Sequence, residues 1–295
     1  MLTALLVTGA AALLASGGLW VFWLEPRSLS VTRLRISSPA WPKSAPPLRI
    51  ALLADLHAAG PYETPARLAQ VVARANAEAP DLVLLLGDYI DLRLVKTSLV
   101  LPEAIAPVLA GLQAPLGVHA VLGNHDWEAG GARMTAALAA AGIGVLENAA
   151  RRLRHGGHDF WLAGIGDAWS GADEVAATLD QITDRAPVVA MTHSPDVFPE
   201  VPARVALTVA GHTHGGQVRL PLIGALVVPS RYRRRYAYGH IVEGGRQLFV
   251  SRGIGHSLLP MRFLCPPEIA LITLCHAQPE AAAAKKALSL AGSSA

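Results

Sequence analysis

Leu48-Arg49-Ile50-Ala51-Leu52-Leu53-Ala54-Asp55-Leu56-His57 is an apolar run that stops at an aspartate and a histidine two residues apart. A short apolar run of this kind, bounded by polar residues, predicts a strand buried on both faces, here over 48–54. If the backbone stays extended beyond it, Asp55 and His57 leave the strand on the same side. The same grammar recurs downstream. Leu82–Leu86 runs into Gly87-Asp88, and Val118–Leu122 into Gly123-Asn124-His125-Asp126. Pro187–Met191 runs into Thr192-His193-Ser194-Pro195, and Val205–Val209 leads to Gly211-His212-Thr213-His214-Gly215-Gly216. Phe160–Ile165, Gln247–Val250 and Ile269–Leu274 read as further strands. Between the strands, 65–79, 102–112, 131–141 and 172–181 have helical patterns, the first opened by Thr64 as N-cap with Pro65 behind it. Strands alternating with helices define an α/β fold.

Five polar clusters therefore follow five strands. In α/β sheets the crevice beyond the carboxyl ends of the strands is where ligands bind. The clusters bring carboxylate, imidazole and amide groups and no thiolate, a donor set suited to Mn, Fe, Zn or Ni. Gly87, Gly123 and Gly211 precede candidate ligands, where close backbone approach requires a residue without Cβ. Asp-x-His or Gly-Asp alone is weak evidence. Gly-Asn-His-Asp and Gly-His-Thr-His are much more specific, and all five in this order point to a metal centre.

Composition removes other classes. The chain has 295 residues, with 25 Lys+Arg against 22 Asp+Glu, a balance too weak for coating nucleic acid. Its 2 cysteines, Cys265 and Cys275, cannot form a disulfide framework or a four-thiolate site and read as buried thiols. A hydrophobic share of 52% excludes global disorder.

Residues 1–24 carry no Asp, Glu, Lys or Arg, and 18 of the 24 are hydrophobic. A helix of that length, about 36 Å, crosses a hydrocarbon core of about 30 Å. A cleaved signal peptide is the rival, but no Lys or Arg precedes the run and it ends in bulky Leu19-Trp20-Val21-Phe22-Trp23-Leu24. The expectation is a retained transmembrane anchor with Trp20 and Trp23 at the interface. Arg27, Arg33, Arg35 and Lys43 follow it, which favours a cytoplasmic C-terminal domain on a cell (inner) membrane; the extracytoplasmic face stays open. The expected organisation is anchor 1–24, Pro-rich linker 25–47, the α/β domain carrying the polar clusters at 48–276 and frayed or disordered tail 277–295.

Two further stretches are read locally. The apolar stretch Val218–Val228 is expected to be core, with a membrane-dipping loop as its alternative. The basic run Arg231-Tyr232-Arg233-Arg234-Arg235 is expected to be a solvated face, with contact to anionic head groups or substrate phosphates as its functional alternative. His119, His155, His158, His240, His256 and His276 lack a metal-ligand context; His256, in a Gly-rich loop, is the candidate exception.

With these residues assembled, the chain resembles the calcineurin-like metallophosphoesterases over about Leu48 to Cys275, through Asp-x-His, Gly-Asp, Gly-Asn-His-Asp, His and Gly-His-x-His. Gly211–Gln217 followed by Leu220-Pro221, together with Pro260-Met261-Arg262 and Pro267-Glu268-Ile269, is similar to the membrane-anchored bacterial YaeI/YkuE-like branch. The resemblance implies a four-layer α/β/β/α sandwich and two divalent metal ions. Asp55, His57 and His214 would hold the first, Asn124, His193 and His212 the second, and Asp88 would bridge them. It further implies hydrolysis of phosphodiester or pyrophosphate bonds by a metal-bridging hydroxide. His125 would serve as acid for the leaving oxygen and Asp126 would orient the His125 imidazole. The implied substrate is a phosphorylated small molecule, and the family extends to enzymes acting on lipid-linked UDP-2,3-diacylglucosamine. The competing readings are a non-catalytic metal-binding scaffold, which the complete ligand set disfavours, and a general phosphomonoesterase or nuclease. No nucleic-acid partner is expected, and oligomeric state is left open.

Overall fold

The computed structural model describes residues 1–92 and 98–277. The expected tail thus lies outside the described residues, apart from Ala277, which donates its backbone N–H to Ser38. In chain order the principal elements are helix α1 (Leu2–Leu19), β1 (Ser30–Ser38), β2 (Leu48–Leu53), α2 (Pro65–Asn76), β3 (Leu82–Leu85), α3 (Pro102–Leu109), β4 (Val118–Ala120), α4 (Asn124–Glu128), α5 (Gly131–Ala140) and β5 (Gly144–Val145). They continue with β6 (Ala149–His155), β7 (His158–Gly164), α6 (Val175–Asp180), β8 (Val188–Met191), β9 (Val205–Ala210), β10 (Gly239–Glu243), β11 (Arg246–Val250) and β12 (Glu268–His276).

Two six-stranded sheets result, ordered β1-β12-β2-β3-β4-β5 and β10-β11-β9-β8-β7-β6. In the first, β2, β3, β4 and β5 run parallel, with β12 antiparallel to β2. In the second, β11, β9, β8 and β7 run parallel, with antiparallel strands at both edges. Because the central strands are apolar on both faces, each sheet buries two surfaces. One face of each meets the other sheet: Ile50, Leu52, Leu84, Leu162, Leu207 and Phe249 share one cluster. Truncating one of these to Ala would cost on the order of 2–5 kcal/mol. The outer face of the first sheet packs on α2, α3 and α5, and that of the second on α6 and the turn at Pro195–Glu200. This is the expected α/β/β/α sandwich.

Helix α2 shows how the sequence builds a layer. The Thr64 hydroxyl accepts from Arg67 N–H and Pro65 occupies the first turn. Leu68, Val71, Val72 and Ala75 fall on one face and are buried against the sheet. Helix α2 is shorter than the expected 65–79, because Asn76 instead ties its end to Gly111 and Gln113.

The linker expected over 25–47 is corrected. The helix runs on to Arg27, and after Ser28 and Leu29 the chain enters β1, which pairs parallel with β12 from Ser30–Glu268 to Ser38–His276. The Pro-rich segment is also packed. Trp41 is buried edge-on against Phe160 at 5.6 Å, and its indole N–H donates to Pro46. The helix therefore joins the body with two residues between helix and strand, not a free spacer. The segment from Leu2 to Arg27 is long and apolar enough, by length and composition, to cross a membrane, and none of its apolar window is buried in the protein.

Val218–Val228 is not core. It forms a small hairpin, Arg219–Leu220 paired with Gly224–Ala225, with fully exposed Leu222 at the tip. Ile223, Leu226 and Val227 are also exposed. Apolar composition alone marked this stretch, and it lacks a layer to pack against.

Candidate metal centre

The five parallel strands β2, β3, β4, β8 and β9 end on the same side, where the two sheets face each other. Their following loops bring the expected side chains together. Three groups of side chains could each hold an ion, with ligand atoms within 4.8 Å of one another: Asp55, His57 and His214; Asp88, His193 and His212; and His57, Asp88 and His125. Asp88 Oδ2 lies 3.5 Å from His57 Nε2 and 3.3 Å from His193 Nε2, and Asp88 belongs to two of the three groups. The Nε2 atoms of His57 and His214 approach to 3.1 Å, and His212 Nδ1 is 3.0 Å from His193 Nε2. Two nitrogens bound at right angles about 2.1 Å from one ion would lie about 3.0 Å apart, so these spacings suit shared coordination. Asn124 is buried with Oδ1 unpartnered among the described residues, as an oxygen reserved for a cation would be. The donor set and its convergence fit divalent ions.

The loops are held by strain and close approach. Asp55, His57, Asp88, His212 and His214 all have positive φ, between 43° and 69°. The extended path assumed for Asp55 and His57 is therefore replaced by turned backbone. Such residues cluster at functional sites because the surroundings must hold them there. Gly87 and Gly123 meet back to back: a Cβ on Gly123 would sit 2.2 Å from Asp88 Oδ1, and one on Gly87 would sit 2.5 Å from Gly123 N. The sheets are stitched at the same place by His212 N–H donating to Asp55 Oδ1 at 2.9 Å and by His193 Nδ1 bonding Leu86 O at 2.7 Å.

Electrostatically the cluster is frustrated without cations. Burial pushes Asp55 up to about 7, aided by the Asp88 charge and opposed by His193. Burial also acts to raise Asp88, but His193, with which it is hydrogen-bonded, and then His57 and His125 outweigh it and hold Asp88 well below the usual range. His193 is correspondingly held well above its usual value: Asp88 overcomes burial. Burial, then the neighbouring His193, pushes His212 down to about 4; burial, then His57, depresses His214. A divalent ion requires neutral imidazoles and ionised carboxylates: His212 and His214 are already shifted that way, whereas His193 and Asp55 would have to give up protons to bind one.

His125 sits half-buried at the edge, its ring 4.9 Å from that of His57. Asp126 corrects the expectation. It is fully buried, and its carboxylate accepts from the backbone N–H groups of Asp88 (2.8 Å), Tyr89 (2.9 Å), Ile90 (3.2 Å) and Gly123 (2.9 Å). Both oxygens are engaged by backbone, so Asp126 fixes the Asp88 loop instead of the His125 ring. The remaining histidines stay outside the three groups. His256 is buried with its ring 5.1 Å from Tyr62, and His119 bonds Leu116 O. Cys265 and Cys275 are buried free thiols, as expected, and Cys265 Sγ donates to His214 O at 3.2 Å.

Several neighbours carried no expectation. Asp167 is fully buried, held by Ser170 through one oxygen, and its charge acts to raise His193 and His212. Its signal was available: Gly166-Asp167 follows β7 as Gly87-Asp88 follows β3. Glu147 bonds Leu122 N–H at 2.6 Å, and burial pushes it up to about 7. Trp169 is exposed with its ring 5.1 Å from that of His212, and Trp127 is exposed two residues after His125. Arg262 is fully buried and donates to the carbonyls of Gly255, Cys265 and Arg252, locking the loop whose Gly253 abuts Asp55.

A sandwich whose facing strand ends gather histidines, carboxylates and an amide is the architecture of a metal-dependent phosphoesterase. The profile of the calcineurin-like phosphoesterase family matches residues 48–216, and the chain belongs to that family. It is 33% identical over 269 residues, 90% of this chain and 92% of the other, to a protein of Bacillus subtilis (strain 168) named "Uncharacterized metallophosphoesterase YkuE". It is 32% identical over 273 residues, 90% and 96% of the two chains, to "Phosphodiesterase YaeI" of Escherichia coli (strain K12). "UDP-2,3-diacylglucosamine pyrophosphatase LpxG" of Chlamydia trachomatis serovar D is 26% identical over 312 residues, 86% of this chain and 91% of that one. The protein is thus a metallophosphoesterase.

Proposed function

We propose that the protein is a membrane-anchored phosphodiesterase or pyrophosphatase using two divalent ions and acting on a lipid-linked substrate. The observation that carries the two-ion reading is the position of Asp88 Oδ2 between His57 and His193, each of which belongs to a different ligand group. Asp55, His57 and His214 would hold one ion, Asn124, His193 and His212 the other, and Asp88 both. When bound, such a pair lowers the pKa of water towards neutrality and polarises the phosphoryl group. The neutral amide of Asn124 leaves one side of the site with less negative charge. His125 stands at the rim, where it can hand a proton to the departing oxygen. Asp126 keeps Asp88 in place through the backbone, and Asp167 supports the imidazoles of His193 and His212 electrostatically.

The lipid-linked part of the reading rests on the apolar span at Leu2–Arg27 and on the likeness to a relative named for a diacylglucosamine substrate. The Arg and Lys residues after the span support a cytoplasmic catalytic domain. The test uses the purified full chain in detergent with added Mn²⁺ and a bis-aryl phosphodiester. Turnover should vanish on chelation, return with Mn²⁺, and be absent in Asp88→Asn. An Asp88→Asn protein as active as wild type would sink the two-ion mechanism.

A further inference from the structure

The apolar residues misassigned to the core lie beside the metal centre and beside the end of the span. The hairpin tip at Leu222 and the loop 257–264 are joined to each other. Gln217 bonds Ser257 and Leu259 through its side chain, and Arg219 N–H donates to Phe263 O. Between them lies a groove of about 370 Å³ lined by Leu226, Val227, Leu258, Leu259 and Met261, and its inner end is Thr213 and His214. Val227 and Leu258 are 73% and 74% exposed, and Leu222 is fully so. Contiguous exposed apolar surface of this kind marks an interaction site.

The occupant is indicated by the span. The same loop is bonded to its last turns: Arg262 N–H donates to Val21 O at 3.0 Å, and Cys265 N–H to Glu25 Oε1 at 2.6 Å. Tyr62, beside His256, donates to Phe22 O. Trp20, Phe22 and Trp23 are exposed there and are the type of residue found at the membrane–water interface. The loops therefore sit at head-group level if the helix spans. Exposed Arg231, Arg233 and Arg234 flank the hairpin, Arg234 bonding Ile223 O at 3.0 Å. Exposed apolar residues with arginine beside them are what an anionic lipid interface binds.

We propose that the Leu222 hairpin and the 257–264 loop dip into the leaflet beside the span, and that the groove between them takes an acyl chain of a phosphoester lipid, leading its head towards His214. This inference rests on the membrane-anchored reading and supplies its chain-binding subsite. It also assigns Arg231, Arg233 and Arg234 to head groups.

The test uses the full chain reconstituted in phosphatidylglycerol vesicles and uses no turnover. The native thiols are buried, so Leu222→Cys, Leu258→Cys and, at the opposite end of the sheet, Ala140→Cys can each be labelled with an environment-sensitive fluorophore. The labels at 222 and 258 should shift to the blue and be quenched by lipid-borne quencher, and the label at 140 should not. A phosphatidylglycerol carrying a photoreactive acyl chain should crosslink to peptides 213–229 and 257–261. Labels at 222 and 258 that remain in water, or crosslinks confined to residues 1–24, overturn the proposal. Protein that fails to float with the vesicles overturns the anchor reading as well, and a phosphoesterase failure leaves both measurements readable.

Discussion

Asp126 holds Asp88 through the backbone: its carboxylate accepts the Asp88 N–H at 2.8 Å and three further N–H groups in the same two strand-end loops. An aspartate in the Gly-Asn-His-Asp motif thereby positions a residue 38 places earlier without touching the histidine beside it through its carboxylate. Asp126→Asn should place an NH₂ group against backbone donors. Each donor left unsatisfied costs about 1–3 kcal/mol. Metal affinity should fall roughly 10- to 100-fold, as when outer supports of a metal site are lost. Excess Mn²⁺ should restore much of the activity. Unchanged Mn²⁺ titration curves would rule out this role.

His125→Ala should behave differently. Metal content should stay at the wild-type level while kcat falls about 10²–10⁴-fold. The loss should be greater for alkyl than for acidic aryl leaving groups, since the latter need no proton. Equal losses for both would remove His125 from proton transfer.

Metal removal should be visible in stability. Five expected ligands occupy left-handed backbone conformations, each of which costs of order 1–3 kcal/mol. Ions bound at a thousandfold above their Kd add about 4 kcal/mol to the folded state. Urea unfolding with Mn²⁺ should therefore have a higher midpoint than with chelator. Coincident midpoints would argue against the proposed ligand set.

Glu147 gives a pH signature in the metal-free protein. Burial, followed by the Asp167 charge and opposed by the bond from Leu122, raises it from 4.5 to about 7. Below about 4.5 both folded and unfolded states are protonated and its contribution is intact; as pH rises to about 7 the unfolded state ionises first and that stability is lost. Glu147→Gln keeps an acceptor for Leu122 and removes the charge. The variant should match wild type near pH 4 and exceed it at pH 8 by on the order of 3 kcal/mol. A stability difference independent of pH would contradict the assignment.

The centre was legible because its residues are packed into short strand-end motifs, each with local punctuation. Asp55, His57, Asp88, His193, His212 and His214 converge because their strands end together, and Asn124 is buried at the turn after β4. Strand β1 was not legible. Ser30–Ser38 mixes Ser, Thr and Arg with apolar residues, as a partly exposed edge does, and its partner lies 238 residues away. The prolines that follow suggested a linker, whereas Trp41 anchors them. The Asp126 partnership was hidden because a motif records neighbours in sequence, whereas this carboxylate serves backbone groups of another loop. Val218–Val228 was misread because hydrophobicity does not say whether water, protein or lipid is on the other side.

The centre straddles a seam. Asp55, His57, Asp88 and Asn124 follow strands of one sheet, and His193, His212 and His214 follow strands of the other. Ions seated between them would rivet two halves of the chain that are otherwise joined there by apolar packing and a few hydrogen bonds. A chain with two unpaired thiols would thus carry a detachable cross-link, and its catalytic cargo would double as the gauge of whether the halves are in register. Starvation for metal would then loosen the architecture at its working end first, converting an inactive enzyme into a structurally marked one.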